Sequence, residues 1–145
     1  MPSNPPKDTP RVTPYLYYQD VATALRWLAD AFGLRESFRM QGPDGKVSHA
    51  EMRIADGVVM MGCPGPQYRN PKHTGNVTQS LHVYVDDVDS HFAHAKAAGA
   101  RILAPPEDQF YGDRRYSAED PEGHHWFYAQ HVRDVSEEEM KAHKQ

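Results

Sequence analysis

The sequence has little of what would commit it to several common protein classes. It holds a single cysteine, Cys63, so no disulfide can close within the chain and no cysteine-based zinc cluster can form. Beside a hydrophobic strand, that cysteine is expected to be a buried packing residue. No apolar run approaches the roughly 20 residues that cross a bilayer, so no membrane association is expected. There is no basic excess. A net charge of −4 and a pI near 6.1 give no electrostatic footprint for nucleic acid. The first ten residues carry four prolines and no apolar stretch, unlike a signal or transit peptide. A disordered tail over 1–10 and a cytoplasmic location are the expectations.

What is present is ordinary globular material, with 39% hydrophobic and 25% charged residues in 145. A first strand is read over Arg11 to Tyr18, rich in Val, Thr and Tyr. Asp20 then caps a helix on which Val21, Leu25, Leu28 and Phe32 recur at helical spacing, with Gly33 as its stop. A short strand over Glu36 to Gln41, the turn Gly42-Pro43-Asp44-Gly45, a strand over Val47 to Ile54 and another over Val58 to Gly62 follow. A polar linker, Pro64 to Gln79, precedes the same order again. Strand Ser80 to Val85 leads to Asp86-Asp87-Val88, which opens a helix carrying Val88, Phe92 and Ala95 and ending at Gly99. Strands at Arg101 to Leu103, Arg115 to Glu119 and His124 to His131 follow, with a loop over Pro105 to Gly112. Ser136 and Glu139 form a capping box for a C-terminal helical tail over 132–145. Asp20-Val21 and Asp87-Val88 lie 67 residues apart, and Leu25 with Phe92 keeps that offset. The chain therefore reads as α+β, with two βαβββ modules, 11–63 and 79–131, forming a curved mixed sheet within one domain, 11–131.

Pro14-Tyr15-Leu16, the helix ending Ala31-Phe32-Gly33, and Tyr111-Gly112-Asp113-Arg114 with Asp120-Pro121-Glu122-Gly123-His124-His125-Trp126 resemble the vicinal oxygen chelate superfamily. That group includes glyoxalase I, extradiol dioxygenases, fosfomycin-resistance enzymes and bleomycin-binding proteins, and the PhnB-like branch looks nearest. The resemblance implies a glyoxalase/bleomycin resistance/dioxygenase fold. In metal-dependent members it implies ligands, usually His and Glu, on inward-facing strand positions. By register those positions fall here on Thr13, Ser80, Phe127 and a residue within 58–61, none with a donor suited to a hard divalent cation. No cofactor is expected on that count.

Side chains two apart on a strand share a face. Tyr15 and Tyr17 join Thr13, while His82 and Tyr84 join Ser80. His125 joins Phe127, and His49 pairs with Glu51. Such a surface, aromatic with a few polar anchors, is the usual make-up of a ligand pocket. Tyr111 is placed at its mouth, and Arg114 is read as a clamp for a carboxylate or phosphate. Trp126 faces away from Phe127 and is expected to pack under a helix. His73, His91 and His94 are expected to be solvent-exposed. Two function classes follow. One is a metal-free protein that holds a drug or metabolite in an aromatic cleft, as a homodimer. The other is a glyoxalase-like lyase, isomerase or dioxygenase relative. It uses Glu51 and His82 for acid–base chemistry, or a shifted site of His49, Glu51 and His82 holding Zn, Mn or Fe.

Overall fold

The computed structural model describes residues 2–143. The chain divides into two compact units, 1–75 and 76–145, and one predicted module lies in each.

In unit 1, β1 (Tyr15–Tyr17), β2 (Arg35–Gln41), β3 (Val47–Ile54) and β4 (Gly57–Gly62) form a mixed sheet in the order β1-β4-β3-β2. The pairing β1–β4 is parallel and the rest antiparallel. A parallel neighbour needs a crossover, and α1 (Val21–Phe32) lies within the chain that provides it. That helix starts at Asp20, whose carboxylate accepts from the Thr23 amide at 3.1 Å and the Thr23 hydroxyl at 2.8 Å. Gly33, at φ +76°, ends it in the left-handed region. Its buried stripe, Val21, Leu25, Leu28 and Phe32, covers one sheet face, whose inward row includes Leu16, Ala50, Met52 and Met61. Each large side chain so buried contributes roughly 1.5–3 kcal/mol. Among the described residues, α1 is the helix that packs on this sheet, and the opposite face is called helix-free below.

Unit 2 repeats the plan. β5 (Ser80–Tyr84), β6 (Arg101–Asp108), β7 (Asp113–Glu119) and β8 (His125–His131) run in the order β5-β8-β7-β6, with β5–β8 parallel. The helix between β5 and β6 also has an aspartate N-cap, Asp87. Tyr116, Ala118, Trp126 and Tyr128 form the buried row. Trp126 is fully buried, and its Nε1–H donates to Asp120 at 3.1 Å, the structural role read from its register. Asp120 also accepts the Glu122 and His124 amides, which fixes the β7–β8 turn.

Several expectations change. The first strand is three residues long and excludes Thr13, whose hydroxyl donates to the Pro10 carbonyl at 3.4 Å. The segment read as a loop from Pro105 is strand through Asp108. Pro105 and Pro106 fit because β6 is an edge and its register shifts between Ala104 and Glu107. The linker contains one helical turn, α2 (Pro71–Thr74), capped by Asn70; the unit 2 helix, α3 (Val88–Ala97), and α4 (Glu137–Ala142) complete the set. Cys63 is exposed, because it lies one residue beyond β4. His91 is half-buried rather than solvated. Its Nδ1 lies 2.6 Å from the Tyr116 hydroxyl, and its ring centroid 4.2 Å from that of Tyr128. In the tail, Asp8 offers its carbonyl to Arg53 at 2.9 Å.

Candidate functional site

In unit 1 the helix-free face is built in cross-strand rows. Tyr17, Gly62, His49 and Met40 form one, and Tyr15, Met60, Glu51 and Phe38 the next. Tyr15, Tyr17, Phe38 and Met40 are all more than 40% exposed, although each is large and mainly apolar. Such residues in one patch mark a surface made for contact. Tyr68, from the linker, lies edge-on to Tyr17 at 5.8 Å and donates to the Tyr17 carbonyl at 3.0 Å.

Across these rows runs a hydrogen-bonded chain. The Tyr15 hydroxyl lies 2.9 Å from His49 Nδ1, and His49 Nε2 lies 3.0 Å from Glu51 Oε2. An ionised carboxylate only accepts, so with Glu51 ionised Nε2 carries the proton. In the neutral ring Nδ1 is then a lone pair and Tyr15 donates to it. Burial, followed by the charges of Tyr17 and Glu51, raises the Tyr15 pKa and keeps the phenol a donor. Gly62 makes room for this chain. A Cβ there would lie 2.5 Å from the Tyr15 hydroxyl and 2.9 Å from the Ser48 carbonyl. Tyr15, His49 and Glu51 were each legible from strand alternation. The role of Gly62 was not, since only the register places it between Tyr17 and His49.

Unit 2 places different groups on the matching rows. Ser80, His125 and Glu119 form one, His82, Phe127 and Ser117 the next, and Tyr84, Ala129 and Arg115 the third. His82 is exposed, with its ring 5.0 Å from that of Tyr84. The Tyr84 hydroxyl donates to buried Asp113 at 2.8 Å, and this bond raises its pKa. Asp113 also accepts from His131 Nδ1 at 2.8 Å, while His131 Nε2 meets Asp134 at 2.7 Å. His125 stands 4.0 Å from Glu119. Tyr111 packs edge-on against Phe110 at 5.3 Å. Arg114 takes the other sheet face: it donates to Asp89 of α3 at 3.0 Å and Asp108 of β6 at 3.2 Å. Its neighbour Arg115 lies on the face opposite α3, with its guanidinium over Phe127. Motif reading favoured Arg114, whereas alternation from Tyr116 selects Arg115. Gly112, at φ +104°, accepts the Val132 and Arg133 amides, and a Cβ on it would collide with the Arg133 carbonyl.

Hollows of about 920 and 820 Å³ occur elsewhere in unit 1, the first beside the tail and Arg53, the second beside Arg39, Lys46 and Cys63. Neither is lined by Tyr15, His49 or Glu51, so volume and chemistry separate here. The polar chain and the exposed rings point to the helix-free face.

A family model for the Glyoxalase/Bleomycin resistance protein/Dioxygenase superfamily matches residues 10–128. The chain belongs to this superfamily. An uncharacterised protein of Mycobacterium bovis is 38% identical over 138 residues, covering 92% of this chain and 91% of its own length. The crystal structure of TioX from Micromonospora sp. ML1 is 35% identical, with a TM-score of 0.70, covering 85% of this chain and 99% of that one. A fosfomycin resistance protein, FosX, from Listeria monocytogenes shares the fold at 15% identity and a TM-score of 0.62, over 90% of this chain and 97% of its own. The superfamily fold, two four-stranded mixed sheets with helices, is therefore that of this chain.

The positions implied by the superfamily resemblance carry Thr13, Ser80, Phe127 and a residue within 58–61, where Val58 and Met60 share the face of Tyr15. Hydroxyls, a phenyl ring and an aliphatic or thioether side chain do not fit a hard divalent cation. Of the shifted set, unit 1 supplies His49 and Glu51 and unit 2 supplies His82. Both ring nitrogens of His49 are engaged, by Tyr15 and by Glu51. Among the described residues, no three His, Cys, Asp or Glu side chains are grouped to hold a metal, and no helix is long and apolar enough to cross a membrane.

Proposed function

We propose that this protein binds a small organic molecule on the helix-free face of unit 1 without using a metal, in the manner of a sequestering member of the superfamily. The carrying observation is the set of exposed Tyr15, Tyr17, Phe38 and Met40 around the Tyr15–His49–Glu51 chain. Rings supply stacking area, and the polar chain supplies orientation. The poor donor set at Thr13, Ser80, Phe127 and positions 58–61 supports the metal-free part. A homodimer belongs to the same proposal, and a monomer mass by light scattering at micromolar concentration rejects it. The test is native mass spectrometry of protein purified without added metal. A co-purified organic mass, lost in Phe38→Ala with Tyr17→Ala, is expected. Near-stoichiometric zinc, manganese or iron with no organic mass overturns the reading.

A second reading, a lyase or isomerase, draws on the same chain. While Tyr15 donates to His49, its oxygen keeps lone pairs for a ligand proton, which His49 and Glu51 then accommodate. A positioned base of this kind is worth roughly 10²–10⁴-fold in rate. Turnover that falls by that factor in Tyr15→Phe, with ligand affinity unchanged, favours catalysis; weakened retention without turnover favours binding.

A further inference from the structure

On the face of the unit 2 sheet opposite α3 lies a cation that no acid pairs among the described residues. Arg115 stands half-buried, with its guanidinium carbon 4.6 Å from the centre of the Phe127 ring and 5.9 Å from that of Tyr111. Among the described residues its guanidinium has no hydrogen-bond or ion-pair partner. The neighbouring acids are occupied. Asp89 and Asp108 hold Arg114, Asp113 holds Tyr84 and His131, and Glu119 lies within reach of Arg101 and His125. Glu107 is opposite Arg115 in the ladder, exposed, and makes no ion pair with it.

Contact with ring faces consumes none of the five guanidinium N–H donors and holds the long side chain in place. The fork therefore stays available for two parallel bonds to one anionic group. Ala129 lies between Arg115 and Tyr84 in the row, so the sheet surface has a step where a ligand can lie against the backbone. Phe127 floors the adjacent row, and His82 and Tyr84 stand beside it.

We propose that Arg115 is the anion-binding group of a ligand site on unit 2, taking a flat apolar molecule that bears a carboxylate or phosphate. This rests on the small-molecule reading above and adds a ligand class to it.

The test is calorimetric titration of the full chain at low salt with 2-naphthoate, 2-naphthyl phosphate and neutral 2-naphthamide. One or both anions are expected to bind at least about 10-fold tighter than the amide, the gain typical of a bond to a charged group. Arg115→Gln is expected to erase that preference, bringing the anions to the affinity of the amide. Glu107→Gln, which removes the acid across the ladder, should raise anion affinity a few-fold. Equal affinity for all three compounds overturns the assignment, as does a preference that survives Arg115→Gln. Failure of all three to bind overturns it too. The broader reading is then judged separately, by whether an organic mass co-purifies.

Discussion

The two units use one strand plan to present opposite chemistry. His49 in unit 1 and Arg115 in unit 2 hold the same place, on the third strand of the module, across a small residue from a tyrosine. Around His49 the neighbours are Tyr15 and Glu51, so the polar groups satisfy one another. Around Arg115 the neighbours are rings, and the charge is left for something else. A duplicated scaffold has thus kept its backbone and diverged at the face the helices leave uncovered. The buried rows stay apolar because packing demands it.

The comparison breaks most sharply at the turns. The β7–β8 turn hangs on buried Asp120, which accepts two amides and the Trp126 indole. Asp120→Ala should cost about 3 kcal/mol by stranding those donors, whereas Asp56→Ala, exposed in the matching turn of unit 1, should stay within roughly 0.5 kcal/mol. Urea midpoints decide this. Next comes the small residue in each row. Gly62→Ala should cost about 1–2 kcal/mol and separate Tyr15 from His49, seen as a changed His49 ring ¹⁵N pattern. Ala129→Gly in unit 2 should cost about 0.5–1 kcal/mol and leave that pattern intact. Glu51→Gln should weaken the fold by about 1 kcal/mol and release the His49 tautomer, read from the same ¹⁵N signals.

The smallest effect is pH-dependent and confined to unit 2. Hydrogen bonding to Asp113, then to Asp134, raises the His131 pKa above its usual value. Its contribution to stability is therefore complete below the unfolded value of about 6.5 and is lost as pH rises through the folded one. Asp113→Asn should lower the His131 midpoint in an NMR titration.

Much of this was legible in the sequence because periodicity reports which face is buried. The Val21–Phe32 stripe, the aspartate caps and the pairing of His49 with Glu51 all follow from spacing. The shortfalls share a cause: cross-strand position is not written locally. Thr13 falls outside β1, Pro105 and Pro106 sit on an edge that tolerates them, and His91 is drawn in by Tyr116 from another element. Arg114 and Arg115 are adjacent, so which of them lies opposite α3 depended on strand parity, which the Gly-Asp-Arg motif obscured.

Gly112 decides how the chain leaves β8. Its carbonyl collects two amides from the strand's outgoing segment, and Asp134 then meets His131 one residue further on. A chain cut after Asp134 keeps every one of these fastenings, while a side chain at position 112 would unhook the whole exit. The path by which the chain leaves β8 is thus set by one missing methyl group.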